Sequence, residues 1–334
     1  MTTRVDPPRL HWTPVCRESL VDLAALVAAT EEVDEPKERL GLENLHDQFG
    51  EHRFDPARDT RLGRDQDGVA RAFAWNHPQD SDQTVRRVLL TGGVHPDWRH
   101  RGLGHELMRW QLEAGRRWYD QTYAPGLGPL RYLVRVDQNI RDLPDLCLGF
   151  ALEPSRWFVY MTQPLSEPVP DPDPVDGVDL VALSPDRFEA TRLTHNEAFA
   201  DHWGMQPIDP ARWAEHLEAS TCRPDWSVIA VDRATDEVVG YAINAAYVAE
   251  WEAQGFTEGQ TDRLGVRRAW RKRGIASALL RRSMQLFHAD GMAAAGLGVD
   301  SASPTGAHEL YEHLGYRRTS SFVVHTRTEG DIAR

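Results

Sequence analysis

Two stretches of the chain have the residue types of an anion-binding loop. Val94-His95-Pro96-Asp97-Trp98-Arg99-His100-Arg101-Gly102-Leu103-Gly104 and Val266-Arg267-Arg268-Ala269-Trp270-Arg271-Lys272-Arg273-Gly274-Ile275-Ala276 align without a gap, 172 residues apart. A strand running into Arg-x-x-Gly-x-Gly/Ala and then a helix gathers unpaired backbone N–H groups and the positive end of the helix dipole around one concavity. Gly102 and Gly274 let the backbone approach a phosphate, and Arg99, Arg101, Arg271, Lys272 and Arg273 add positive charge. One such loop reads equally well as a plain strand-to-helix turn; two in register point to anion binding. Trp98 and Trp270 need no functional role, since an apolar residue before a helix commonly staples against its first turn.

The elements that must hold these loops also match. Strands are expected at Val85 to Leu90 and at Thr261 to Val266. Helices follow, with apolar spacing at Leu107, Met108 and Leu112 in one copy and at Leu279, Leu280, Met284 and Leu286 in the other. Each copy then closes with a strand and a Leu-Gly-aromatic step, Leu148-Gly149-Phe150 and Leu314-Gly315-Tyr316. Hairpins are expected at Trp226 to Val231 with Val238 to Ile243, and around the turn Asp65-Gln66-Asp67-Gly68. Between the copies, Ser166-Glu167-Pro168-Val169-Pro170-Asp171-Pro172-Asp173-Pro174 suits neither helix nor sheet interior and reads as a linker. The expected division is therefore 1–165, a linker over 166–178, and 179–334. The expected class is α+β, with two tandem mixed sheets flanked by helices.

Composition narrows the function classes. A chain of 334 residues with 41% hydrophobic and 27% charged residues is that of an ordinary globular protein. No apolar run reaches the ~20 residues of a spanning helix, and the first residues carry no signal-peptide core, so no membrane partner and a cytoplasmic location are expected. A net charge of -13 argues against a nucleic-acid partner. Cys16, Cys147 and Cys222 are widely spaced and are expected to be buried thiols, and His308 and His313 lack zinc-helix spacing, so no metal is expected.

These loops and their flanks resemble the GNAT acetyltransferase superfamily, over most of 180–325 and more loosely over 10–163, and in particular tandem, two-copy members such as the mycothiol synthases. The resemblance implies acetyl-CoA as acyl donor. Its pantetheine arm would lie along the backbone of Leu264, Gly265 and Val266, and its pyrophosphate on Arg271, Lys272, Arg273, Gly274, Ile275 and Ala276. In the first copy Val94, Arg99, Arg101, Gly102, Leu103 and Gly104 are the counterparts. Ser303 stands where the superfamily usually has asparagine.

Acyl transfer to an amine needs a neutral amine, a stabilised oxyanion and a proton for the leaving thiolate. An N–H near Val266 would serve the oxyanion. Tyr311 matches the superfamily's tyrosine acid and, with an ordinary pKa of ~10 against ~8.5 for a thiol, is still protonated when the thiolate leaves; apart from the motif it reads as a core aromatic. Several members carry a glutamate on the strand before the loop, and counting back places Gln260 there, which is no base. Strand alternation sends Glu258, Gln260, Asp262 and Leu264 to one face, making Asp262 and then Glu258 the candidate bases, with a solvated carboxylate as the alternative. In the first copy the same counts fall on Val88 and Asp145, so that copy is expected to lack the chemistry.

The expected acceptor is the primary amine of a small molecule. It would be held by the helix-loop-helix of the second copy, where Asn196 to Met205 is the most suggestive stretch, although Phe199 and Trp203 are spaced as core residues. A non-catalytic acyl-CoA sensor and a protein lysine acetyltransferase are the alternatives, and the chain is expected to be a monomer or homodimer.

Overall fold

The structure is a computed structural model that describes residues 9–51, 54–79, 85–124, 126–200, 207–301 and 307–329. It divides into two compact units, one made of the residues up to Trp157 together with those from Phe322 onward, the other of Phe158–Ser321. Neither unit follows the expected boundary. Residues 158–165 fall with the second copy, and the last strand of the chain falls with the first only from Phe322 onward.

In the first unit β1 (His11–Thr13), α1 (Leu20–Asp34), α2 (Leu42–Gly50) and α3 (Pro56–Asp59) precede the hairpin β2 (Thr60–Arg64) and β3 (Ala70–Gln79). Then come β4 (Arg86–Val94), α4 (Leu103–Gln121), β5 (Leu130–Asp137), α5 (Leu143–Gly149) and the start of β6 (Glu153–Pro164). β1 to β4 pair antiparallel in chain order, and β4 pairs β5 in parallel. At the chain's end Phe322–Glu329 returns to pair antiparallel with β5.

The second unit repeats the plan. β7 (Val178–Ala182), α6 (Phe188–Ala198) and α7 (Pro210–Glu218) lead into the hairpin β8 (Val228–Asp232) and β9 (Val238–Ala245). A short α8 (Val248–Gln254) is followed by β10 (Glu258–Val266), α9 (Ile275–Ala289), β11 (Ala294–Asp300), α10 (Ala307–His313) and β12 (Arg317–Glu329). β7 to β10 are antiparallel neighbours, β10 and β11 run parallel, and Phe158–Pro164 of β6 closes the sheet against β11. Residues 166–177 of the expected linker carry no helix or strand, while Val178 already begins β7; the segment is docked, with Gln285 on α9 donating to the Asp171 carboxylate at 2.9 Å and Val169 and Val175 packed on the core.

Apolar periodicity explains the layers. α9 sets Ile275, Leu279, Leu280, Met284 and Phe287 against one face of the second sheet, where they meet Val239 and Ala242 of β9 and Ala295 and Leu297 of β11. α6 and α7 cover the other face, with Trp213 and Leu217 packed on Ile229, Tyr241 and Ile243. Among the described residues no helix is long and apolar enough to cross a membrane.

Candidate active site

The register of the two parallel strands makes the site. β10 pairs with β11 only from Glu258 to Thr261; from Arg263 to Val266 it pairs with β9 alone, while β11 continues along β6 to Asp300. The strands thus part beyond Thr261, and Leu264, Gly265 and Val266 lie along the opening. The first unit parts in the same way, with β4 and β5 paired only from Arg86 to Leu90.

The strands that lead into the two loops differ by one residue. β10 carries a bulge between Thr261 and Arg263, so Asp262 is an extra residue in the ladder, whereas β3 and β4 pair without interruption. Two expectations change as a result. The bulge reverses the alternation, so Leu264 packs on the α9 side and does not share a face with Glu258 and Gln260; a Cβ on Gly265 would meet the Tyr241 ring on the α6–α7 side. Counting back from the loop also overshoots by one. In spatial register Gln260 corresponds to Leu89, not Val88, Glu258 corresponds to Arg87, and Asp262 has no counterpart in the first unit.

The two loops share one backbone conformation. Gly102 and Gly274 begin their helices at φ 82° and 85°, and His100 and Lys272 are left-handed at φ 59° and 62°. Neither helix start has a side-chain cap, which leaves its first N–H groups for a ligand. Arg99 and Arg271 brace the loops: each Nε donates to the carbonyl that ends the preceding strand, Val94 at 3.2 Å and Val266 at 3.3 Å. The rest of the Arg99 guanidinium forms a fork on Asp34 at 2.6 and 2.7 Å, and Arg271 donates to the Ala198 carbonyl at 2.7 Å. Arg101 and Arg273 lie over the Trp98 and Trp270 rings.

Asp262 stands on the α6–α7 face with one oxygen receiving the Tyr247 hydroxyl at 3.0 Å. Its other oxygen is 3.4 Å from His216 Nε2 of α7 and 3.5 Å from Arg263 Nε. Arg263 Nε donates to His216 Nε2 at 3.0 Å, so the ring nitrogen facing it carries no proton. Burial, and after it the neighbouring guanidinium, pushes His216 down to about 4. Burial also pushes His195 of α6 down to about 3, and its Nδ1 is hydrogen-bonded to the Tyr241 hydroxyl. The Asp262 side chain keeps 24% of its surface exposed. Glu258 is 4% exposed, bonded to Thr162 at 2.9 Å and packed on Gly296, which leaves it poorly placed to meet an acceptor.

Tyr311 lies on α10, in the cluster that includes Leu280 and Val299, and burial pushes its hydroxyl up to about 12. The Tyr311 carbonyl receives Tyr316 N–H at 3.0 Å and Gly315 is left-handed at φ 95°, a Schellman closure. In the first unit Leu152 N–H bonds the Cys147 carbonyl at 3.0 Å and Ala151 is left-handed at φ 57°. The tyrosine's place there is therefore held by Cys147, not Asp145; the Leu-Gly-aromatic step misleads because alanine takes the glycine's position.

Sequence reasoning missed Arg263, His216 and Tyr247, whose spacing shows no motif because three separate elements bring them together. Of the acceptor stretch, Phe199 stacks on His195 at 4.8 Å as a core ring, and Asn196 bonds Ile208. Residues 201–206 lie outside the described residues, as does Ser303. Of the cysteines only Cys147 is buried; Cys16 is exposed and Cys222 half-buried, because both sit in loop segments at element edges.

Residues 224–318 match the family model described as an acetyltransferase (GNAT) domain. The chain is 28% identical over 335 residues to the mycothiol acetyltransferase of Thermobispora bispora, covering 98% of this chain and 100% of that protein. It is 27% identical over 333 residues to that of Salinispora arenicola, covering 98% and 96%. Among solved structures, a GCN5-related N-acetyltransferase from Sphaerobacter thermophilus superposes with TM-score 0.75 at 24% identity, covering 97% of this chain and 96% of that one. A tandem GNAT protein from the clavulanic acid biosynthesis pathway gives 0.70 at 16%, covering 97% and 99%. These two likenesses speak to the fold.

Proposed function

We propose, from the acetyltransferase (GNAT) domain matched by residues 224–318 and the likeness to mycothiol acetyltransferases over nearly the whole chain, that this acyl-CoA-dependent N-acetyltransferase of the GNAT superfamily moves an acetyl group from acetyl-CoA to the primary amine of a small molecule, with the chemistry in the second unit. The observation that carries this reading is the bulge, which sets Asp262 beside the parted strands in that unit and has no equivalent in the other.

Backbone N–H groups at the start of α9, with Lys272 and Arg273 nearby, suit the pyrophosphate, and the free edge of Leu264, Gly265 and Val266 suits the pantetheine arm. Asp262 takes a proton from the acceptor ammonium, directly or through one water. The freed amine attacks the thioester carbonyl, a C–N bond forms, and an N–H near Val266 meets the oxyanion. As the C–S bond breaks, Tyr311 gives its proton to the sulfur and regains one from the nitrogen of the collapsing intermediate, which leaves the neutral amide and a protonated phenol. A hydroxyl held up at about 12 stays protonated through the whole working range.

The first unit keeps the loop but has no counterpart of Asp262 and offers Cys147 in the place of Tyr311, and we assign it no proton transfer. Similarity to the mycothiol acetyltransferases puts a mycothiol-related amine first among acceptors to try. The test is thiol release from acetyl-CoA against a panel of that amine, glucosamine, lysine and 2-aminoethanol. Turnover with at least one small amine, lowered about 10²-fold by Tyr311→Phe with acetyl-CoA binding intact, supports the reading. Turnover unchanged in Tyr311→Phe contradicts it.

A further inference from the structure

Asp262 is faced from several sides: by Arg263 on its own strand, His216 from α7, His195 from α6, Tyr241 from β9, Tyr247 at the start of α8 and Cys222 from the segment after α7. Only one of these groups, Arg263, is a permanent cation. A guanidinium closed on both carboxylate oxygens would hold Asp262 ionised but would also strip it of basicity. In the structure that closure is not made, because the Arg263 Nε–H is given to His216 at 3.0 Å and lies 3.5 Å from Asp262.

We infer that His216 is a positioning residue for acetyl transfer: its neutral ring accepts the Arg263 Nε–H, keeps the guanidinium from closing on Asp262, and leaves the carboxylate free to take the acceptor's proton. This rests on Asp262 being the base. The proton balance is that of the reaction itself, with an N–H bond broken on the acceptor and an O–H bond formed on Asp262, and His216 neither gains nor loses a proton. Burial suits the role, since a ring held neutral to about pH 4 remains an acceptor wherever the amine reaction runs. Tyr247 completes the cradle by donating its hydroxyl to the other oxygen, which holds the carboxylate from the start of α8.

Two readouts test this on the full-length protein. In protein labelled with nitrogen-15 histidine, the signal lost in His216→Gln must show a neutral ring protonated on Nδ1 at pH 7; an imidazolium or an Nε2–H tautomer overturns the inference. The second readout is kcat against pH with acetyl-CoA and the fastest amine of the panel above. His216→Ala should lower the plateau about tenfold and move the acidic limb down by about one pH unit, because a closed Arg263 lowers the basicity of the carboxylate. His216→Gln, whose amide oxygen can accept from Arg263, should restore both. A folded His216→Ala protein with reduced thermal stability but an unmoved limb shows a structural role only and overturns the inference. Asp262→Asn separates the two claims: if it keeps the wild-type limb, the base assignment itself has failed, whereas if it abolishes the limb and His216→Ala leaves it in place, only the role of His216 has failed.

Discussion

Cys147 and Tyr311 hold the same position in the two units: the carbonyl of each receives, at 3.0 Å, the N–H five residues on, across a left-handed residue that is Ala151 in one and Gly315 in the other. A thiol whose buried environment raises it to about 12 therefore stands where the second unit has a phenol raised to the same level. We predict that Cys147→Ala costs roughly 1–2 kcal/mol through the cavity it leaves and does not change kcat. Tyr311→Phe, by contrast, should leave the melting temperature nearly unchanged while reducing kcat about 10²-fold. Calorimetry and initial rates on both variants separate a packing residue from an acid.

The same phenol sets a pH expectation. With Tyr311 held up at about 12, the proton donor is not lost on the alkaline side, so kcat at saturating amine should show no falling limb up to about pH 10. A falling limb near pH 8 that disappears in Tyr311→Phe would contradict the assignment.

Acid should unfold the second unit through its histidines. His195 and His216 are pushed down to about 3 and about 4, against ~6.5 in the unfolded chain. Their folded pKa values are depressed, so the unfolded state binds more protons below pH 6.5; stability is full above that pH and is lost as pH falls toward 4 and then 3. Thermal melts from pH 7 to pH 4 should show a falling melting temperature, and His195→Phe should flatten the fall. An equally steep fall in that variant would contradict the account.

Gly265 is required by packing. A Cβ there would sit 2.5 Å from the ring of Tyr241, which is fully buried between β9 and α6. Gly265→Ala should therefore cost roughly 1–3 kcal/mol of overpacking and lower turnover by displacing the strand edge. Denaturant unfolding and the KM for acetyl-CoA report the two effects.

Much of this was legible in the residues. The paired loops, the hairpins and the helix after each loop follow from glycine placement and from apolar spacing with periods of 2 and 3.6, which are local properties. Three features were not. A bulge is one extra residue, and a gapless alignment across the loops carries no trace of it, so Val88 was paired with Gln260 where space pairs Leu89. Ala151 in a left-handed turn hides the helix end that Gly315 announces. The exchange of terminal strands between units depends on pairings far apart in sequence, Phe322 with Asp137 and Phe158 with Asp300, and no local pattern encodes a partner at that distance. His216 and Tyr247 were missed for a related reason, since each reaches Asp262 from a different element.

If the two units divide the work as proposed, substitutions at two equivalent glycines should have unequal effects. Gly102 and Gly274 hold equivalent left-handed positions with φ 82° and 85°, so a glutamate at either strains the loop and sets a carboxylate beside the phosphate position. Rates of thiol release from acetyl-CoA, measured with the same amine for Gly102→Glu and Gly274→Glu proteins of matched fold, should show activity retained in the first and lost at least 10²-fold in the second. Equal loss in both would contradict the assignment of the chemistry to the second unit.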